Sequence, residues 1–213
     1  MKKIVYTLLL CLFTWQIFPQ INSDIKVDSK EHMEWWTQSR FGMFIHWGLY
    51  ALPARHEWVM SNEKMSKKTY EKYAQYFDPD LYNPTEWAKL AKKAGMKYVV
   101  FTAKHHDGFC LYDSKFTDYK VTNTPYGKDV MKELIDAFRA EGIRIGLYYS
   151  LIDWHHPDFI VKDPIHPERN NERELAKDKE RNLKRFQKYL KNQLTEILTN
   201  YGQIDILFAD FSY

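Results

Sequence analysis

The chain has 213 residues, enough for one domain of ordinary size. Hydrophobic residues make up 45% and aromatics 16%, with 7 Trp and 15 Tyr, which excludes a disordered chain and calls for a packed core. The formal charge is only +3, and Lys2 and Lys3 supply two of those charges, so there is no electrostatic case for nucleic acid or an anionic membrane as partner.

Residues 1–22 read as an export signal peptide. A basic start at Lys2 and Lys3 is followed by the mainly apolar stretch Ile4 to Phe18, which includes Leu8-Leu9-Leu10. The run is short and interrupted by Gln16, so it is not a comfortable membrane span, although an uncleaved N-terminal anchor is the competing reading. Cleavage falls around Ile21 to Asp24, and the mature protein is expected to be periplasmic or extracellular. Cys11 lies inside the signal without the small neighbours of a lipid-attachment site. Cys110 then remains alone, and one cysteine makes no internal disulfide.

Beyond the signal, His32, Trp35 and Trp36 mark a short helix expected to pack on the base of the fold. Phe41 to Gly48 reads as the first strand, ending in His46, Trp47 and a glycine that permits a turn. A long connection carries Glu57-Trp58 and a helical piece from Ser66 to Tyr76. Asn83-Pro84-Thr85-Glu86 is a helix start, with Asn83 as cap and Pro at the first position. Trp87, Leu90, Ala91 and Ala94 follow at helical spacing up to Gly95.

The second strand is Tyr98 to Ala103, running into Lys104-His105-His106-Asp107-Gly108-Phe109. The next helix spans Asp129 to Ala140, with Val130, Leu134, Ala137 and Phe138 on one face and Gly142 as its stop. The third strand is Ile143 to Ser150, and a second long loop holds His155, His156 and His166. A single long helix is expected over Asn171 to Asn200, with Leu183, Phe186, Leu190, Leu194, Ile197 and Leu198 inward. Gly202 ends it, and a short buried strand, Gln203 to Asp210, closes the chain on a carboxylate.

The order is therefore strand, helix, strand, helix, strand, helix, strand. Alternation with crossover helices implies parallel strands joined right-handedly. The expected fold class is α/β, a (β/α)₈-like barrel of which this chain holds the first four units. A doubly wound open sheet is disfavoured because no Gly-rich phosphate turn follows the first strand. A closed barrel needs eight strands and typically ~250 residues. Residues 23–213 are thus expected to be the N-terminal half of a longer catalytic barrel, and stopping at the fourth strand leaves an unpaired apolar edge.

In such a barrel the side chains at the C-terminal strand ends gather on one rim. Here they are His46, His105 with His106, Tyr148 and Asp210, with Glu57-Trp58 in the loop after the first strand. Adjacent strand residues point opposite ways, which argues against His105-His106 as a metal pair. His155 and His156 stand on the rim loop, where lining the outer part of a ligand site and simple solvation are equally open.

The segments Phe41-Gly-Met-Phe-Ile-His46-Trp-Gly48, Glu57-Trp58, Lys104-His-His-Asp-Gly-Phe-Cys-Leu111, Gly146-Leu-Tyr-Tyr-Ser150 and Ile204-Asp-Ile-Leu-Phe-Ala-Asp210 together resemble the α-L-fucosidases of glycoside hydrolase family twenty-nine, from about Glu34 to the end of the chain. The resemblance implies exo-acting, retaining release of terminal α-L-fucose from fucosylated glycans, with no cofactor. It makes Asp210 the nucleophile and His46, Glu57, Trp58, His105, His106 and Tyr148 the sugar contacts. It also places the general acid/base in a later part of the family's chain.

The sequence departs from the family at the nucleophile, where Phe208-Ala209-Asp210 stands in place of the frequent Trp-Phe-Asp. Phe208 keeps a ring but loses the indole N–H. The competing functions are a catalytically dead fucose-binding module and, less favoured, a metal-dependent hydrolase on the same barrel. The oligomeric state is not legible.

Overall fold

The structure, a computed structural model, describes residues 29–211. The segment expected to be a signal peptide lies outside the described residues, and no described helix is long and apolar enough to cross a membrane. The first element, helix α1 (Ser29–Gln38), falls in a compact unit separate from the rest. Within it the Trp35 and Trp36 rings meet edge to face at 5.7 Å.

The second unit begins at Ser39. It alternates β1 (Met43–Ile45), α2 (Val59–Asn62), α3 (Lys67–Tyr70), α4 (Pro84–Lys93), β2 (Tyr98–Lys104), α5 (Val130–Ala140), β3 (Arg144–Ser150), α6 (Glu172–Leu175), α7 (Leu183–Thr199) and β4 (Ile206–Asp210). The four strands form one parallel sheet in the order β1-β2-β3-β4. Sequential parallel order with intervening helices is the first half of a (β/α)₈ circuit, as the alternation of strands and helices implies.

Register sorts the side chains into two layers, because successive residues of a strand face opposite ways. One layer holds Val99, Phe101 and Ala103 of β2 with Ile145, Leu147 and Tyr149 of β3, all buried in one apolar core with the helices. From α5, Val130, Met131, Leu134, Ile135 and Phe138 fill it at helical spacing. The opposite layer holds Phe44, Val100, Gly146, Tyr148 and Phe208. Gly146 is required there: a Cβ would sit 3.0 Å from both Ile206 Cβ and Val100 Cγ2. Phe44, Leu207 and Phe208 are exposed on this face and on the free edge strand.

Two helix starts follow their sequence signals. Asn83 caps α4 by accepting from the Glu86 N–H at 3.1 Å, and Asp129 caps α5 by accepting from the Lys132 N–H at 2.8 Å. Other expectations need correction. β1 is only Met43–Ile45, and His46, Trp47 and Gly48 lie past its end. The 66–76 piece is α3 followed by a 3₁₀ segment, Glu71–Tyr76.

The single helix expected over 171–200 is broken before α7. Asp158 accepts from the Asn182 N–H at 2.9 Å, holding that residue extended, and Asn182 in turn caps α7 through the Arg185 N–H at 3.1 Å. Leu90, Leu183 and Leu198 point outward, whereas Tyr189, Gln193 and Glu196 of α7 are buried. β4 is not buried: it pairs with β3 alone among the described strands, and its middle residues are exposed.

Candidate active site

The C-terminal ends of the strands bring most of the sequence-predicted residues together. The chain leaves β2 through an irregularity: Thr102 pairs with Tyr148 but Lys104 pairs with Tyr149, so Ala103 is the extra residue. The Lys104 side chain thereby turns into the helix-facing core, and its ammonium is fully buried 3.0 Å from Asp153 Oδ2. The strand stops there, and a turn closed by the Gly108 N–H on the His105 carbonyl lets both histidines reach the same cluster. Their ring centroids lie 4.0 Å apart. Strand alternation would have separated them, and the end of the strand is why it does not.

His105 is buried and lies 4.9 Å from the His46 ring, 5.0 Å from Tyr50 and 5.7 Å from Tyr148. Its buried Nδ1 has no protein partner, which marks it as a group aimed at something else. His46 is held through Nδ1 by the Tyr50 hydroxyl at 2.8 Å. Gly48 makes that approach possible, since a Cβ there would meet Tyr50 Cε1 at 2.6 Å. His106 Nδ1 lies 2.8 Å from Ser150 Oγ, and its Nε2 lies 3.7 Å from Asp210 Oδ2.

Asp210, the last residue of β4, accepts from the Tyr148 hydroxyl on Oδ2 at 2.5 Å and from the Phe211 N–H on Oδ1 at 2.9 Å. Phe211 adopts φ 58 to make that second contact, a left-handed conformation uncommon outside glycine. The ring of Phe211 then packs on His106 at 4.7 Å and on Trp58 at 5.8 Å.

Trp58 joins the cluster 5.6 Å from His106. Glu57 stands further out, 42% exposed, with His56 Nδ1 3.4 Å away. An open cavity of about 420 Å³, lined in part by His46, Tyr50, His56 and Glu57, occupies this side. Its size suits a small ligand.

Electrostatics leave the histidines neutral near pH 7. Burial pushes His106 down to about 4, aided by His46 and Lys104 and opposed by Asp210. Burial, with His106, His46 and His56 nearby, holds His105 well below the usual range. His46 is lowered by the groups covering it, against the pull of Glu57 and Asp210. Tyr148 is raised by burial and by its bond to Asp210. A neutral imidazole offers one donor and one acceptor, which is what a sugar hydroxyl can use.

The rim histidines left open by sequence are occupied elsewhere. His155 Nε2 lies 2.8 Å from Glu71 Oε1 and its ring stacks on Tyr119 at 4.1 Å. His156 packs between Tyr189 and Phe186. Tyr50, Ser150, Phe211 and the Lys104–Asp153 pair support the site and were not singled out in the sequence. Lys104 and Ser150 lie at the ends of sequence motifs, and Tyr50 stands two residues past the glycine that ends the first strand's motif. Among the described residues no cluster of three or more His, Cys, Asp or Glu side chains is arranged to hold a metal ion.

Parallel strands whose C-terminal ends collect a carboxylate, three imidazoles and several aromatic rings place the chain in the class of (β/α)-barrel domains. The chain belongs to the alpha-L-fucosidase family, whose family model, described as Alpha-L-fucosidase, matches residues 19–213. It is similar to the plasma alpha-L-fucosidase of Homo sapiens, 33% identical over 152 residues that cover 63% of this chain and 32% of that protein.

Among solved structures it resembles alpha-L-fucosidase isoenzyme 1 from Paenibacillus thiaminolyticus, with TM-score 0.83 and 56% identity over 86% of this chain and 44% of that one. It also resembles an alpha-L-fucosidase GH29 from Bacteroides thetaiotaomicron trapped as a covalent intermediate with 2-fluoro-fucosyl fluoride, with TM-score 0.73 and 35% identity over 84% of this chain and 41% of that one. The chain thus spans about a third of the length of the human relative and less than half of these two structures.

Proposed function

We propose that this chain is the N-terminal part of the catalytic barrel of an exported, exo-acting, retaining α-L-fucosidase, and that its site takes the terminal α-L-fucose of a fucosylated glycan. The observation that carries the reading is the carboxylate of Asp210, fixed on both oxygens by the Tyr148 hydroxyl and the Phe211 N–H and turned toward His106. A nucleophile must be held in one geometry to attack an anomeric carbon, and two donors on two oxygens do that. The neutral His46, His105 and His106 can exchange hydrogen bonds with sugar hydroxyls, Glu57 can accept from another at the outer side, and Trp58 can cover an apolar face of the ring. Each such bond contributes only about 0.5–1.5 kcal/mol net, so recognition rests on the set.

In the retaining reaction the Asp210 carboxylate attacks the anomeric carbon as the leaving-group oxygen takes a proton from a second carboxylic acid. Water then hydrolyses the fucosyl ester with that acid acting as base. The family places the second carboxyl beyond the portion matched here. This chain by itself is therefore expected to act very poorly on ordinary fucosides, whose leaving groups need protonation, while activated aryl fucosides should suffer less. The ligands of similar structures, 2-fluoro-fucosyl fluoride for the Bacteroides thetaiotaomicron protein and Fuca(1,6)GlcNAc for alpha-L-fucosidase AlfC, support a fucosyl substrate.

Treatment with 2-fluoro-fucosyl fluoride followed by peptide mass spectrometry is the test. A fucosyl adduct on Asp210, absent in Asp210→Asn, is the expected result. A folded protein that binds fucose but carries no adduct belongs to the fucose-binding alternative, and one that does neither overturns the reading.

A further inference from the structure

We infer that Ser150 is a positioning residue that holds His106 in its Nδ1–H tautomer, so that Nε2 meets the sugar as a hydrogen-bond acceptor. The inference rests on the fucoside reading for the identity of the ligand, but not for the assignment of the proton.

The argument is a proton count. Ser150 Oγ lies 2.7 Å from the Ile152 carbonyl oxygen and 2.8 Å from His106 Nδ1. A hydroxyl has one proton to donate, and a carbonyl can only accept. The Ser150 proton is therefore committed to Ile152, and Ser150 Oγ can only accept from the imidazole. His106 Nδ1 must carry a hydrogen, and in the neutral ring Nε2 is then a bare lone pair.

The 3.7 Å separation of Nε2 from Asp210 Oδ2 agrees with this, because two acceptors face each other across a gap too long for a hydrogen bond. Turning the ring over would set a C–H against Ser150 Oγ and strand Nδ1 in a buried site. The packed rings of Trp58, Trp154 and Phe211, at 5.6, 5.4 and 4.7 Å, oppose that rotation. Burial and the nearby Lys104 ammonium keep the imidazole neutral, so the lone pair persists near pH 7.

Two consequences follow for the chemistry. A hydroxyl of the bound sugar must donate to Nε2, which sets a polarity that a fluoro or deoxy group at the same place does not meet. Asp210 is also spared a hydrogen bond from His106, which would have stabilised its charge and reduced its readiness to attack. Ser150 is well placed for the role, since it pairs in register with Asp210 across β3 and β4 and is itself fully buried.

The test is ¹⁵N NMR of the full chain labelled at histidine, with His106 assigned by its disappearance in His106→Gln. The expected spectrum shows a pyrrole-type Nδ1 and a pyridine-type Nε2 at pH 7. A pyrrole-type Nε2 overturns the inference, and the wild-type spectrum decides this whether or not the Ser150 variants fold. Ser150→Ala should shift the tautomer toward Nε2–H and weaken the binding of L-fucose about tenfold, while Ser150→Thr, which keeps the hydroxyl, should restore both. A Ser150→Ala protein that folds with an unchanged tautomer also overturns it. The predicted wild-type tautomer in a protein that binds no fucose upholds the assignment and overturns the fucoside reading instead.

Discussion

The loop that leaves β2 and the strand β4 end at the same cluster of rings, yet they are held there in different ways. From Val99 through Tyr112 the chain is buried without a break. Lys104 is paired with Asp153, and Asp107 accepts from the Tyr70 hydroxyl at 2.8 Å and the Phe109 N–H at 3.0 Å. Asp153 is saturated, taking the His155 and His156 N–H groups on its other oxygen. The Trp154 N–H bonds the His106 carbonyl at 2.7 Å and ties the two loops together. β4, by contrast, is bonded to one neighbour, and its Leu207 and Phe208 are open to solvent. The proposed sugar contacts His105 and His106 are thus built into the core of the described chain, and the proposed nucleophile stands on its edge strand. Recognition and reaction rest on separate supports, which can be perturbed separately.

The largest expected effect comes from the buried pair. Lys104→Met leaves the Asp153 carboxylate buried without its cation, and breaking a buried pair from one side typically costs about 3–5 kcal/mol. Denaturant melts should show a loss of that order, with fucose binding lost as well. Leu207→Lys on β4 should change stability by less than about 0.5 kcal/mol, as exposed positions do. Equal losses at the two positions would erase the contrast.

Acid should act on the same buried region. Burial lowers His106 and His166 from 6.5 to about 4, and in His166 the nearby Lys67 and Arg181 add to it. A base whose folded value is depressed contributes its full stability above the unfolded value of 6.5 and loses it as pH falls through the window toward 4. By linkage each histidine gives up about 3 kcal/mol across that range. Asp107 works the other way. Burial raises it from 3.8 to about 6, so folding gains as pH falls between those values. The two histidines outweigh it, and His105 adds to them in sign. Urea midpoints should therefore fall between pH 6.5 and 4, by a net of about 3 kcal/mol, and fall less in His166→Asn. A flat profile across that window would show that these imidazoles are not held neutral by the core.

The same contrast explains what the sequence could disclose. Caps and stops are local chemistry, so Asn83, Asp129 and the glycines at 95, 142 and 202, all at positive φ, were legible. The strand order and the gathering of His46, His105, His106, Tyr148 and Asp210 followed from alternation and from the motifs. The inward face of α7 followed in part: Phe186 and Ile197 lie in the core and Leu190 and Leu194 pack against it, but periodicity counts apolar residues and missed the buried polar ones. Gln193 bonds the Tyr149 hydroxyl at 2.7 Å, and Glu196 takes the Ser114 hydroxyl and the Lys115 N–H. That rotates Leu183 and Leu198 outward. The break before α7 was equally hidden, since it depends on Asp158, a residue 24 positions away in sequence from the Asn182 it restrains. The exposed edge of β4 was expected from the count of four strands.

The most local effect probes the edge directly. Tyr148→Phe removes the hydroxyl that reaches Asp210 from β3 and leaves the ring, which packs on His105 at 5.7 Å, Phe208 at 5.6 Å and Phe44 at 5.9 Å. Packing and fold should therefore be kept. A hydrogen bond to a charged group contributes about 1.5–3 kcal/mol, so losing one of the two that orient Asp210 should slow its labelling by 2-fluoro-fucosyl fluoride about ten- to a hundredfold. Fucose affinity should change much less, because His105 and His106 are supported from β2 and His46 from β1. A rate loss with binding retained is the signature of a nucleophile that depends on its neighbour across the sheet. Equal losses in rate and affinity would mean that Tyr148 serves the sugar before it serves the carboxylate. An unchanged rate would mean that the Phe211 N–H and the strand itself suffice, and that the edge is firmer than its exposure implies.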